Sequence, residues 1–309
     1  MGSDHSFRQY SPFSFHFFTQ GREHERQSAF NPNPMPVAFW LLRLAIRFLG
    51  LVSPALAGRW VYRLWFQPLR FPEPPQEQEW RRTAQSVDVV HRGQRLAVDA
   101  WGAGPTVLMV HGWNGRGAQL GAFAPELVRA GFRVVSFDTP AHGRSPGRAT
   151  SLPEISEAIH AVARACGPVH AVIGHSFGVA CTIYAVHQGL EVKRIVAISP
   201  PSSVRWLTQS FFKALDVAPR VQEIFNRKFE ADFGADLWQR FAFDVLARHL
   251  AVPGLVIHDQ DDRDVPIEEG MAVAQAWPGA QFVRTTGLGH RRILRDPDVI
   301  ARVVAFIAS

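Results

Sequence analysis

The spacing of hydrophobic positions along this chain changes near residue 80. Before that point, Val37–Val52 is apolar except for Arg43 and Arg47, which stand four residues apart and so lie on one stripe of a helix. The segment Arg59–Phe66 repeats this design with a second pair of arginines at the same spacing. Both segments are predicted to be amphipathic helices, and their arginines make them unsuited to cross a bilayer.

A Pro-rich, polar linker at Pro68–Gln78 separates these helices from a different pattern. Short, β-branched apolar runs then alternate with helix-length segments, which indicates a mostly parallel sheet covered on both faces. The sequence therefore predicts an α/β, doubly wound fold. The expected strands are Val107–Val110, Val134–Phe137, Val169–Ile173, Ile195–Ile198, Leu255–Ile257 and Gln281–Thr286.

Three segments are expected along the chain. Residues 1–34 show no sustained period and end in Asn-Pro-Asn-Pro, which is typical of a flexible leader. Residues 35–78 combine the amphipathic helical extension with the linker, and residues 79–309 form the main domain. For residues 37–66 two interpretations stay open, either packing on the main domain or peripheral contact with a membrane surface.

Composition supports a globular protein and excludes several other classes. The chain has 309 residues of which 47% are hydrophobic, enough for a sizeable core. Its two cysteines, Cys166 and Cys181, lack metal-binding spacing and cannot form a disulfide framework. The net charge of +6 is local, because Met35–Phe71 holds five arginines and no acidic residue, and no nucleic-acid motif accompanies it. No nucleic-acid partner is expected.

The chemistry is most visible in the segment Gly174–Gly178, Gly-His-Ser-Phe-Gly, which matches the pattern G-x-S-x-G. It directly follows an apolar strand and precedes a helix-like run, the context in which a sharp turn raises the serine above the sheet edge. A serine hydroxyl is a weak nucleophile at neutral pH. It needs a base that takes its proton and an acid that orients the base.

Two later strands lead into suitable groups. Leu255–Ile257 runs into His258 and a cluster of four aspartates ending at Asp264, and the last strand runs into Gly-Leu-Gly-His at Gly287–His290. In this chain order the acid precedes the histidine.

From about residue 86 to the C-terminus, these motifs resemble the α/β-hydrolase superfamily in its serine-esterase-like branch. The resemblance implies Ser176 as the nucleophile and His290 as the base. Members often carry His-Gly-x-x-Asp-x-x-Val-Pro with the triad acid at the Asp, and this pattern selects Asp262. Because Asp259 replaces the glycine, Asp261 remains an alternative acid. His175 and His258 are interpreted as structural.

The resemblance also implies an oxyanion hole. The backbone N–H groups of Phe177 and Trp113 are the expected donors, the latter in the loop His111–Gly115. The loop at Asp138–Ser145 is interpreted as structural, and neither a metal nor a cofactor is expected. The aromatic-rich excursion at about residues 202–249 is expected to form a small helical cap, whose remaining aromatics would line an apolar pocket.

The resulting expectation is a cofactor-free serine hydrolase that cleaves small-molecule carboxylic esters with an apolar acyl or alcohol group. A thioesterase or small-amide hydrolase would use the same triad, and fold and triad do not separate these substrates. A non-catalytic, membrane-associated hydrolase-like protein is the alternative of a different class. A cytoplasmic location is expected, with or without association with a membrane, and the oligomeric state is left undetermined.

Overall fold

The computed structural model describes residues 37–309, so the predicted leader at residues 1–34 lies outside the described part. Within that part an eight-stranded sheet has the strand order β1-β2-β4-β3-β5-β6-β7-β8. Strands β3 to β8 pair in parallel, while β1 and β2 pair antiparallel. The strands are β1 Gln85–His91, β2 Gln94–Trp101, β3 Thr106–Val110, β4 Arg133–Phe137, β5 Val169–His175, β6 Val192–Ile198, β7 Gly254–Asp259 and β8 Gln281–Thr285.

Helices cover both faces of this sheet, which confirms the predicted α/β class. One face packs against α5, α6 and α11, and the other against α4, α13 and the 3-10 helix Gly117–Phe123. The helices are α1 Val37–Val52, α2 Pro54–Trp65, α3 Pro75–Arg82, α4 Ala124–Arg129, α5 Leu152–Cys166, α6 Phe177–His187, α7 Val204–Leu215, α8 Pro219–Phe233, α9 Leu237–Arg240, α10 Phe243–Ala247, α11 Ile267–Ala276, α12 Gly289–Arg292 and α13 Pro297–Ala308.

The hairpin β1–β2 is absent from the sequence prediction. Its two-residue turn places Arg92 at φ 49° and Gly93 at φ 73°, the positive angles that a tight antiparallel connection needs. Exposed and buried residues alternate over the second half of β1, with Asp88 and Val90 exposed and Val89 and His91 buried, because one face of this edge strand is exposed. An apolar-run criterion therefore misses it, while the Arg-Gly turn between alternating segments is the signal that could have found it.

Four helices, α7 to α10, lie between β6 and β7, where the sequence predicts the excursion. Helix α2 of the extension packs on α8, since a Cβ added at Gly58 would lie 2.5 Å from Ile224 Cγ2. The hydroxyl of Tyr62 also donates a 2.5 Å hydrogen bond to Asp232. The inner side of the extension is therefore packed against the excursion.

The two predicted N-terminal helices are present, with one corrected boundary. Helix α2 begins at Pro54 rather than Arg59, because the Ser53 side chain accepts a hydrogen bond from Leu56 N and proline favours the first helical turn. The predicted linker is also partly helical, since α3 begins at Pro75. Across residues 37–309, every helix is too short or too polar to span a bilayer.

Candidate active site

The predicted nucleophile lies in a strained turn between β5 and α6. Ser176 has φ 54° and ψ −123°, a backbone conformation that a non-glycine residue rarely adopts. Its backbone N–H donates a 2.8 Å hydrogen bond to Ile198 O on β6, which ties the turn to the sheet. The N–H groups of the first turn of α6 have no partner within the helix, so Phe177 N–H begins a site suited to negative charge.

The glycines around Ser176 serve close packing. A Cβ added at Gly178 would lie 2.3 Å from Val110 O, so α6 can approach the end of β3 only because this residue is glycine. A Cβ added at Gly112 would lie 3.0 Å from Ser176 Cβ. The predicted oxyanion loop therefore reaches the nucleophile at Gly112, directly before Trp113. The indole of Trp113 packs edge-on against Phe177, with ring centroids 5.5 Å apart.

The predicted acid and base are brought together from the loops after β7 and β8. His290 Nδ1 lies 2.7 Å from Asp262 Oδ2. The other carboxylate oxygen of Asp262 accepts hydrogen bonds from the backbone N–H groups of Asp264 and Val265, each at 2.9 Å. The alternative acid, Asp261, instead accepts a hydrogen bond from Gly287 N–H at 2.7 Å. Geometry thus pairs His290 with Asp262.

The opposite charges of Asp262 and His290 shift the pKa of both groups. Burial opposes the charged form of the His290 imidazole, but the Asp262 carboxylate outweighs burial and raises the histidine pKa. Burial also opposes ionisation of Asp262, yet His290, together with hydrogen bonds from His258 and Val265, holds the carboxyl pKa well below its ordinary value. Asp262 is ionised at neutral pH and accepts the Nδ1 proton of His290, so that Nε2 is the acceptor nitrogen in the neutral form of the imidazole.

A buried carboxylate that the sequence prediction did not use joins the acid loop to the histidine loop. Asp259 accepts hydrogen bonds from the backbone N–H groups of Leu288 at 3.1 Å and Gly289 at 2.9 Å. It also accepts the Thr285 hydroxyl at 2.7 Å. Burial disfavours its ionisation, but these bonds hold the Asp259 pKa below its ordinary value. The sequence signal for this role was that Asp259 stands where the family pattern has a glycine.

The two neighbouring histidines are packed and hydrogen-bonded. His175 lies with Nε2 2.9 Å from His290 O, and the two imidazole rings are 4.6 Å apart. Burial lowers the His175 pKa well below its ordinary value, so this ring is neutral. His258 Nε2 donates a 2.8 Å hydrogen bond to Val265 O. Both rings therefore hold the segments that carry His290 and Asp262.

Ser176 and His290 line one cavity of about 1180 Å³. Its walls come from the cap, the extension and the predicted oxyanion loop. Aromatic side chains dominate the wall formed by the extension and cap, namely Trp65, Phe66, Trp206, Phe211, Phe229, Phe233 and Phe241. Several of these also form the cap core, where Phe211, Phe229 and Phe241 are buried. Such a cavity suits an apolar ligand group.

The loop Asp138–Ser145 is held by internal hydrogen bonds. Asp138 accepts backbone N–H donors from Gly117 at 2.7 Å and Arg144 at 2.8 Å. His142 Nδ1 lies 2.9 Å from Thr139 Oγ1, and burial lowers the His142 pKa to about 3. Within residues 37–309, no group of three or more His, Cys, Asp or Glu side chains is placed to hold a metal ion.

A second feature missed by sequence reasoning is the ion-pair cluster at Glu77. This carboxylate, 2% exposed, lies 2.5 Å from Arg116 Nε and 2.9 Å from Arg295 Nη2. Arg116 follows the predicted oxyanion loop, and Arg295 follows the segment that carries His290. Glu77 thus connects α3 to two other segments that line the cavity. Nothing local in its sequence distinguishes it from Glu79, the other carboxylate of α3.

The sequence of this chain is similar to that of known hydrolases. Residues 107–303 match the model of the alpha/beta hydrolase family. The chain is 30% identical over 263 residues to a pimeloyl-[acyl-carrier protein] methyl ester esterase of Stenotrophomonas maltophilia, covering 69% of this chain and 97% of the relative.

Solved structures agree on the fold. An esterase from Exiguobacterium antarcticum has a TM-score of 0.56 at 17% identity, covering 73% of this chain and 99% of that structure. An esterase from Rhodococcus sp. ECU1013 has a TM-score of 0.53 at 20% identity, covering 74% and 99%. The family match and the methyl ester esterase relative point to a hydrolytic enzyme rather than the non-catalytic alternative. This chain is a hydrolase and belongs to the alpha/beta hydrolase family.

Proposed function

We propose that this enzyme hydrolyses carboxylic esters through an acyl-enzyme on Ser176, with His290 as the general base and Asp262 as the acid that orients it. One observation carries the proposal. His290, whose Nδ1 lies 2.7 Å from Asp262 Oδ2, lines the same cavity as Ser176, a serine held in a strained strand-to-helix turn. Strain at such a position is typical of a nucleophile that must stand clear of the sheet.

The reaction divides into two acyl transfers. Ser176 Oγ attacks the ester carbonyl carbon while its proton passes to His290 Nε2. Asp262 accepts the Nδ1 hydrogen bond and stabilises the imidazolium. The C–O bond to the alcohol then breaks, and His290 gives the proton to the departing alkoxide. Water repeats the sequence on the acyl-enzyme, so that one ester and one water yield one acid and one alcohol.

Negative charge on the former carbonyl oxygen requires donors that are already in place. The N–H groups of Phe177 and Trp113 are the proposed donors, and losing one such donor costs about 3–4 kcal/mol of transition-state stabilisation. The support is the position of Phe177 at the start of α6 and the approach of Gly112 to Ser176.

The proposed substrate is a small-molecule ester with an apolar acyl group. The aromatic wall of the cavity favours an apolar chain, and the relative from Stenotrophomonas maltophilia is a pimeloyl-[acyl-carrier protein] methyl ester esterase. A methyl leaving group requires little space, so the cavity volume would serve the acyl side. Thioesters and small amides remain the alternative substrates, because the same attack and oxyanion would serve them.

Labelling with a fluorophosphonate probe tests the nucleophile. Wild-type protein is expected to react, and Ser176→Ala is expected to remain unlabelled. A series of methyl and nitrophenyl esters of increasing acyl length, run beside thioester and amide analogues, tests the substrate class. The expected result is kcat/KM that rises with acyl length and is highest for the oxygen esters. Labelling that persists in Ser176→Ala would overturn the assignment.

A further inference from the structure

Exposed apolar side chains are concentrated on one part of this molecule. Of the ten large hydrophobic residues that stand exposed within residues 37–309, eight lie between Val37 and Leu56. Their exposed fractions run from 42% at Leu44 to 86% at Leu51. We call this set the outer face, and its members are Val37, Trp40, Leu41, Leu44, Phe48, Leu51, Val52 and Leu56.

The outer face exists because α1 is apolar nearly all round and only one side of it is packed. Phe39 and Ile46 are buried toward the rest of the molecule, whereas Leu41, Leu44 and Phe48, at spacings of three and four, point to solvent. A contiguous apolar patch on a soluble protein marks a surface that another apolar body covers.

The charge around the outer face indicates what kind of surface covers it. The segment Met35–Phe71 has arginines but no acidic residue. On α2, Arg59 and Arg63 are exposed and follow Leu56 at spacings of three and four, so the three share one stripe of the helix. The outer face therefore continues into a basic edge. Apolar side chains beside arginines on an amphipathic helix are the features that bind an anionic lipid surface.

We propose that the outer face docks on an anionic lipid bilayer. Helix α1 would lie along the interface with Leu44, Phe48 and Leu51 in the boundary between headgroups and acyl chains. Arg59 and Arg63 would meet the lipid phosphates. The contact is peripheral, since across the described residues no helix is long and apolar enough to span the bilayer.

A second copy of this chain is a poorer partner for the same face. A two-fold symmetric contact would bring the same patch of both copies together, and so would set Arg59 and Arg63 close to their own counterparts without acidic residues from α1 or α2 to offset them. Arg47, within α1, is held by Asp216 at 3.0 Å on its own chain. An anionic bilayer presents the opposite charge.

The docked surface is also close to the cavity along the chain. Helix α2 carries Arg59 and Arg63 on its exposed stripe, and at its end Leu64, Trp65 and Phe66 line the cavity. A bilayer bound at the outer face would therefore contact the same helix, α2, whose C-terminal end forms part of the cavity wall. The docking proposal itself does not depend on the reaction proposed for Ser176.

Flotation of the full chain with vesicles tests the docking without any activity measurement. Binding is expected to vesicles of phosphatidylcholine mixed with phosphatidylserine, and weakly or not at all to phosphatidylcholine alone. Phe48→Glu, on the outer face, should lower the bound fraction about tenfold or more. Val90→Glu is the matched control, because Val90 is 58% exposed on β1, outside the outer face, and should bind like wild type. Far-UV circular dichroism checks that both variants fold.

A second variant separates the charge contribution. Arg59→Gln combined with Arg63→Gln should weaken binding to the mixed vesicles about tenfold and leave the secondary structure unchanged. The proposal is overturned if wild type and Phe48→Glu float equally, or if neither floats. It is also overturned if wild type is a dimer that Phe48→Glu converts to a monomer without any lipid binding.

Discussion

The buried carboxylate of Asp259 holds the backbone N–H of Gly289 at 2.9 Å, directly before His290. Asp259 ends strand β7, and Gly289 begins the short helix α12 that follows the neighbouring parallel strand β8. The same carboxylate accepts three further donors, including the neighbouring Leu288 N–H. The position of His290 is therefore set by a group that lies outside the proposed triad.

Asp259→Asn should lower kcat about tenfold to a hundredfold with a smaller change in KM. The NH2 group of asparagine would face the N–H and O–H donors that now bind the carboxylate, and this repulsion would displace the segment that carries His290. The measurement is steady-state kinetics on a nitrophenyl ester, with Asp261→Asn as the control. Asp261 is exposed and accepts one hydrogen bond from Gly287. Equal kinetics for Asp259→Asn and wild type would show that this carboxylate does not position the base.

The pH dependence of kcat/KM should report His290. Only the neutral imidazole can accept the serine proton, so activity should fall as pH falls through the histidine pKa. Because Asp262 raises that pKa, the midpoint is expected above the ordinary value of 6.5. In Asp262→Asn burial acts without the opposing carboxylate, so the midpoint should move to lower pH, and kcat should fall about ten-thousand-fold. A midpoint unchanged by Asp262→Asn would contradict the pairing.

Gly112→Ala should slow fluorophosphonate labelling of Ser176 by about tenfold to a hundredfold. The added Cβ would lie 3.0 Å from Ser176 Cβ and 3.2 Å from His175 O, so the loop that carries Trp113 must move away from the nucleophile. Gly50→Ala is the control, because its added Cβ would meet only Val221 at 3.4 Å, an ordinary contact. The rates of fluorophosphonate labelling give the comparison, and equal rates in both variants would count against a tight oxyanion loop.

Glu77→Gln should lower the free energy of unfolding by about 3 kcal/mol, because it leaves the largely buried Arg116 without its anionic partner. The matched control is Glu79→Gln in the same helix. Glu79 pairs with Arg82 at the surface, and its loss should change stability by less than about 1 kcal/mol. Urea unfolding measures both variants. Similar midpoints would mean that the cluster contributes little beyond a surface pair.

The sequence by itself determined the elements that local pattern controls. The six parallel strands, the excursion between β6 and β7, and the Gly174–Gly178 turn all follow from apolar runs and from residues with special backbone demands. The edge hairpin β1–β2 was not predicted, because one face of β1 is exposed and the strand has no continuous apolar run. The candidate residues Ser176 and His290 could be named from their position after strands, because parallel strands deliver their carboxyl ends to one edge of the sheet.

Only the tertiary structure decided which groups meet. The sequence pattern selected Asp262 as the acid but left Asp261 open, whereas the geometry pairs Asp262 with His290, Asp261 with Gly287, and Asp259 with Gly289. Glu77 likewise joins partners far away along the chain. The reason is physical: hydrogen bonds and ion pairs depend on distances of a few ångströms between loops, and those distances are set by packing rather than by spacing along the sequence.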